Sequence, residues 1–283
     1  MTSPFYELRD GLYHPSASTV GPWDPKLCHG GPPASLLGTL LDREGARDGT
    51  RIAHFSLDFL GPVPLSPLSI STKTMRPGKK IELSEAEAWY SEPRNSAPGV
   101  SGRSPEHGTE TGGRRVLRAS AWRVLEEPGR NPDVNLTAPV PPRPKDSASS
   151  FFPDVHDFGY AHALDWRFAD GGFEKLGPST VWARLLTQVI AGEEVSPLAR
   201  VLAMVDSANG VSAELPVRDY LFVPVNLTVS LWRTPIGEWF AMRAKTFLAN
   251  GGGGLTRAWI FDEEGPIGEA VQTLYVEKRA TAA

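Results

Sequence analysis

The chain is 283 residues long, 40% hydrophobic and 22% charged, with a formal net charge of -4 at pH 7. That apolar content suffices for one large core or two small ones and excludes a disordered chain. No basic patch of the kind a nucleic-acid partner needs stands out, no apolar run approaches the roughly 20 residues of a membrane helix, and one cysteine, Cys28, allows neither an internal disulfide nor a cysteine-based zinc cluster.

The N-terminal MTSPFYELRDGLY has no basic stretch followed by an apolar one, so no secretory leader is expected and a cytoplasmic location is predicted. Residues 34–42 (ASLLGTLLD) have helical spacing, with Pro32 and Pro33 at the start, where a missing N–H costs little. Alternation of apolar and polar residues then predicts strands at 51–60 (RIAHFSLDFL), 68–75 (LSISTKTM) and 81–90 (IELSEAEAWY). Residues 91–115 are polar and turn-rich and read as a long loop, followed by a strand at 116–125 (VLRASAWRVL). The Pro-rich, period-free stretch at 127–149 reads as a linker. The expected division is an N-terminal unit at 1–130, a linker at 131–150 and a C-terminal unit at 151–283.

In the second half, 198–215 (LARVLAMVDSANGVSAEL) reads as a helix broken near Asn209-Gly210. Strands are predicted at 222–232, 239–249, 255–262 and 267–276, with 250–254 (NGGGG) as a hairpin turn. One helix followed by four strands thus occurs twice. HFSLDFLGPVP echoes VNLTVSLWRTP, and LRASAWRVL echoes LTRAWIFD. A long antiparallel sheet can curl around a helix that buries its apolar stripe, and two such units can pair edge to edge.

HGGPPASLL (29–37), AHFSLDFLGP (53–62), AMVDSANG (203–210) and GEAVQTLYV (268–276) resemble, in this order, the acyl-CoA thioesterase II family of double-hotdog proteins. The resemblance implies an α+β fold: a tandem (double) hotdog, two antiparallel sheets each wrapped around a central helix. It implies hydrolysis of an acyl thioester, carried by CoA or an acyl-carrier protein, in fatty acid metabolism. The family's acid falls on Asp206 and its glutamine on Gln272. Its hydroxyl position falls on Asn226, with Thr228 two residues on and on the same strand face. Double hotdogs typically pair further, so a homo-oligomer is expected.

Read by their chemistry, Asp206 would take a proton from water while Gln272 and Thr228 or Asn226 fix its direction. Asp206 could equally be a helix N-cap for the residues after it. Backbone N–H groups of Gly30 and Gly31 at a helix start would stabilise the oxyanion, or these glycines serve a tight turn. His29 could contact the thioester or cap the helix. His54 reads as a core or edge histidine and Cys28 as a small buried apolar residue. Asp58 and Asp165 are possible second acids. Lys79-Lys80 and Arg114-Arg115 could meet nucleotide phosphates. No two histidines share metal-ligand spacing, so no metal and no cofactor are expected. Alternatives are a hotdog hydratase or dehydratase, which would need a histidine beside Asp206, and a non-catalytic acyl-binding module.

Overall fold

The computed structural model describes residues 2–91, 113–127, 129–130, 138–148 and 155–279. The chain opens with β1 (Tyr6–Arg9) and β2 (Leu12–Pro15), a hairpin turned by Asp10 and Gly11, both with positive φ, 51° and 76°. Two such residues form the tight turn whose twist matches its strands. Then come α1 (Gly31–Arg43), β3 (Thr50–Phe59), β4 (Leu68–Arg76), β5 (Ile81–Tyr90) and β6 (Arg114–Leu125). The second half repeats the plan. After a short α2 (Gly159–His162) come β7 (Leu164–Asp170), β8 (Ser179–Leu185), α3 (Pro197–Val205) and α4 (Ala208–Val211). They are followed by β9 (Tyr220–Leu231), β10 (Trp239–Leu248), β11 (Gly253–Asp262) and β12 (Gly265–Lys278).

The strands form one antiparallel sheet in the order β1-β2-β4-β5-β6-β3-β9-β12-β11-β10-β8-β7. Read from the centre outward the two halves are the same, β3-β6-β5-β4-β2-β1 against β9-β12-β11-β10-β8-β7. The repeat is therefore a hairpin, a helix and four strands, one hairpin longer than the sequence pattern indicates. The expectation of two sheets is corrected: β3 pairs with β9 from His54↔Ser230 to Asp58↔Asn226, and this ladder makes the sheet continuous. Joining there satisfies the backbone groups of what would otherwise be two open edges.

The two longer helices, α1 and α3, both pack on this sheet. α1 packs on β3, β5 and β6, α3 packs on β8 and β10, and the two helices pack on each other. Glycine permits the close crossing. A Cβ on Gly38 would collide with Leu202 Cδ1, and one on Gly31 with the Ala203 carbonyl oxygen. One cluster of buried apolar residues spans both halves, including Leu36, Leu37, Leu41, Phe55 and Leu57 with Val201, Leu202, Leu227 and Ile260. At the end of α1 the buried Arg123 guanidinium donates to the carbonyls of Leu41 (3.3 Å) and Asp42 (2.6 Å), satisfying acceptors a helix C-terminus leaves open.

The expected polar loop falls mostly on 92–112, outside the described residues. Of the expected linker, 131–137 and 149–150 also lie outside them. Residues 138–148 pack against β7 and β8: Trp182 Nε1 donates to the Pro141 carbonyl (3.2 Å), and the Ala148 N–H to the Trp166 carbonyl (2.6 Å).

Candidate active site

α3 stops at Val205, and the chain turns at Asp206 and Ser207 before α4. The break lies three residues before the expected Asn209-Gly210. No side chain caps α4, so Asp206 is not the N-cap it could have been. Its carboxylate instead meets the Gly30 N–H from the start of α1 and the side chain of Gln272 from β12. Gln272 Nε2 donates to the Asp206 carbonyl oxygen (3.0 Å) and to Oδ1 (3.2 Å), while its Oε1 accepts the Asn209 N–H (3.1 Å). Both polar atoms of this amide are thereby partnered, as burial requires. Asp206 is 3% exposed and Gln272 fully buried.

Gly30 must be glycine here. A Cβ would stand 2.5 Å from Asp206 Oδ2 and 2.7 Å from Phe59 Cζ. His29, one residue earlier, places Nδ1 3.3 Å from Asp206 Oδ2. The Gly31 N–H donates to that same Nδ1 at 3.0 Å. Nδ1 therefore presents a lone pair, and the ring is neutral with its proton on Nε2. The 3.3 Å approach is thus not an ion pair. Burial drives the His29 pKa down to about 3, in keeping with a neutral ring. The imidazole stacks on Tyr160 with centroids 3.7 Å apart and planes 6° from parallel. Tyr160 is anchored in turn: its hydroxyl donates to the Ala203 carbonyl (2.6 Å) and lies 2.7 Å from Ser207 Oγ.

Burial pushes the Asp206 pKa up to about 7, against the opposing pull of the Gln272 and Gly30 hydrogen bonds. Desolvation wins because no cation among the described residues faces the carboxylate at close range. A carboxyl that titrates near neutrality can hold a proton and give it back at working pH. Asp206, His29 and Gly30 line a cavity of about 400 Å³ between the halves, walled further by Trp23, Phe59 and Phe222. Trp23 packs edge-on against Phe222 with centroids 5.1 Å apart. A mostly apolar chamber with a few polar groups at one wall suits an acyl group presented to a reactive carboxyl.

The structure gathers Asp206, Gln272, His29, Gly30 and Gly31 but not Asn226 and Thr228. From Asn226 onward the buried residues of β9 are Leu227, Val229 and Leu231, and Gln272 pairs with Leu227. Thr228 pairs with Val271 on the other face, and Asn226 Oδ1 accepts the Thr273 N–H (3.0 Å). Neither borders the cavity. Their placement beside the carboxyl is corrected by the strand's period of two. His54 Nδ1 lies 3.0 Å from Ser230 Oγ, away from the site. Cys28 Sγ contacts Thr19 Oγ1 (3.4 Å), and burial pushes its pKa up to about 11. Asp165 is held by Arg167, and Arg115 by Glu87. Among the described residues no three His, Cys, Asp or Glu side chains converge as a metal ligand set.

Residues 19–124 match the acyl-CoA thioesterase N-terminal domain and residues 137–276 its C-terminal domain. The chain belongs to the acyl-CoA thioesterase family. It is accordingly a thioester hydrolase. This thioesterase superimposes on a thioesterase II candidate from Thermobifida fusca YX with a TM-score of 0.69 at 16% identity, over 96% of this chain and 94% of that one. A hot dog fold protein of unknown function from Alicyclobacillus acidocaldarius gives 0.67 at 14% identity, over 97% and 96%. Acyl-CoA thioesterase II TesB2 from Mycobacterium marinum gives 0.58 at 14%, over 98% and 96%. These likenesses carry the hotdog fold. No curated protein matches the chain.

Sequence reasoning missed Tyr160, Ser207 and the Asn209 N–H as partners in the cluster around Asp206, Gln272 and His29. Tyr160 lies in a four-residue helix just after the Pro-rich stretch, where no periodic signal exists. Asn209 carried a signal only as part of a helix break.

Proposed function

We propose that this thioesterase cleaves acyl thioesters of CoA or of an acyl carrier by water attack directed by Asp206, with Gln272 holding the carboxylate. Ionised Asp206 takes a proton from a cavity water as the water oxygen adds to the carbonyl carbon. The carbonyl π pair moves onto oxygen. When that pair returns, the C–S bond breaks, and the sulfur leaves with its electron pair and takes the proton from Asp206. The products are a carboxylic acid and a free thiol, and the carboxylate is restored. A thiolate leaves readily, so one carboxyl serves both proton transfers.

The observation that carries this reading is the Asp206 carboxyl in the wall of an apolar cavity, held by Gln272 and raised toward neutral pKa. The mirrored strand order, with one longer helix, α1 or α3, packed on the sheet in each half, supports a double-hotdog arrangement in which the site forms between the two units. Arg114 supports a CoA substrate: its guanidinium lies 3.3 Å from where a Cβ on the cavity residue Gly61 would be, within range of a phosphate at the cavity edge.

The contact between His29 and Asp206 favours a second reading, hydration of an enoyl thioester, which wants such a pair. Against it, Nδ1 is occupied by the Gly31 N–H and the ring is a poor base. Thiol release over a panel of acyl-CoA chain lengths, with the parent and Asp206→Asn, tests the reading. Free CoA from the parent and a loss of 10²-fold or more in the folded variant are expected. An enoyl thioester converted without free thiol would establish the second reading instead.

A further inference from the structure

The thioester oxygen needs a donor where its negative charge develops, and this inference rests on the hydrolytic reading above. The start of α1 is the natural place for backbone donors, but here every N–H of the first turn is already committed. The Gly30 N–H serves the Asp206 carboxylate and the Gly31 N–H serves His29 Nδ1. Pro32 and Pro33 have none. The Ala34 N–H closes the first helical turn onto the Gly30 carbonyl at 3.0 Å.

The Gly31 bond has a consequence for the ring that receives it. With Nδ1 accepting, the imidazole proton sits on Nε2. No described residue accepts from Nε2. Nor is it among the enclosed side-chain atoms that lack a partner, so it opens onto space, and His29 borders the cavity beside Asp206. The ring is held in place from its face by the parallel stack on Tyr160, whose hydroxyl is fixed to the Ala203 carbonyl. A donor fixed before the substrate arrives needs no reorganisation as charge develops, and that is the source of its catalytic worth.

We propose that the Nε2–H of neutral His29 donates the hydrogen bond that stabilises the oxyanion of the attacked thioester. The proton stays on His29 throughout; only the hydrogen bond strengthens as the carbonyl π pair moves to oxygen. The committed glycine N–H groups then act one step back. Gly31 sets the tautomer of His29, and Gly30 aims Asp206. The two sides of His29 thus divide the labour, with the Nδ1 edge turned to the protein and the Nε2 edge turned to the substrate.

The test replaces His29 in three ways and follows thiol release from an acyl-CoA that the parent cleaves. His29→Asn keeps an acceptor for the Gly31 N–H but has no donor where Nε2 stood. His29→Gln offers an amide N–H near that point. His29→Nε2-methylhistidine keeps the ring, the Nδ1 lone pair and the stack, and removes the N–H alone. The expected result is a fall in kcat of about 10²-fold for the asparagine and methylated forms with KM changed little, and recovery of tenfold or more by glutamine. The rise of rate with pH near 7 should persist in all three, because it belongs to Asp206. A folded Nε2-methyl form with kcat within about threefold of the parent overturns the proposal, as does glutamine no better than asparagine. Asp206→Asn run alongside separates the two claims. If it alone is inactive, hydrolysis by Asp206 stands and the His29 role falls. If it retains the parent rate, the underlying reading falls first.

Discussion

Gln272 and Asp206 are 66 positions apart in the chain, and one amide joins them twice: Gln272 Nε2 donates to the backbone carbonyl of Asp206 at 3.0 Å and to its Oδ1 at 3.2 Å. The double contact ties the end of α3 to the last strand and fixes which way the carboxylate looks. Its remaining oxygen, Oδ2, is the one beside His29 at the cavity wall.

Replacing Gln272 by leucine removes both donors and leaves the Asn209 N–H buried without an acceptor. An orphaned buried donor costs about 1–3 kcal/mol, so urea unfolding should show a loss of that size. The lost hydrogen bond was holding the Asp206 pKa down. The rate of Gln272→Leu should therefore rise with pH at a higher pH than in the parent, and kcat at pH 8 should fall by about tenfold or more. A variant with unchanged stability and an unshifted pH profile would show that the amide does neither job.

Asp206 and His29 should affect stability in opposite directions over the same pH range. The folded protein keeps a proton on Asp206 up to about pH 7 that the unfolded chain releases near 4, so stability falls as pH rises through that window. His29 is the reverse. The unfolded chain takes up a proton below about 6.5, while the folded ring stays neutral down to about 3, so stability falls as pH drops. Each slope is about 1.4 kcal/mol per pH unit, and between pH 4.5 and 6 they cancel. Asp206→Asn should unmask a stability that climbs with pH relative to the parent, and His29→Asn one that declines. Unfolding free energies at pH 4.5, 5.5 and 6.5 measure both, and parallel curves for all three proteins would contradict the burial of the pair.

Gly31→Ala would set a methyl against the Ala203 carbonyl oxygen and 3.0 Å from the Tyr160 ring. Because the obstacle on one side is backbone, the helices must part. A loss of about 1–3 kcal/mol is expected, seen as a lower Tm, together with reduced kcat because Tyr160 carries the His29 stack. An unchanged Tm would mean that α1 and α3 are not packed as closely as described.

Thr228→Val should leave kcat and KM within about twofold of the parent, since its side chain stands on the sheet face away from Gln272. A hundredfold loss would return Thr228 to the site and contradict the β9 register.

The sequence pattern made the central strands and α1 visible because they are half-buried and alternate cleanly. The alternation at 81–90 has the same bounds as β5. The β1-β2 hairpin carried its own signal in Asp10-Gly11 between alternating residues, but its strands are four residues each, too short for a periodic reading. β8 is buried at six of its seven positions and so shows no alternation to detect. Asp206 and Gln272 came from family resemblance, because a contact across 66 residues leaves no local period. The hydroxyl position went astray for a simple reason. Asn226 and Thr228 do share a face, but Leu227 and not its neighbours lies opposite Gln272. The tautomer of His29 depends on a single N–H from Gly31, which only the folded chain brings into line.

The most direct measurement of the central claim is kcat/KM for thioester cleavage between pH 5 and 9. If Asp206 in its buried, Gln272-held setting is the base, the rate rises about tenfold per pH unit and levels off above about pH 7. A flat profile, or one that levels off near pH 4 where an ordinary carboxyl titrates, would contradict it.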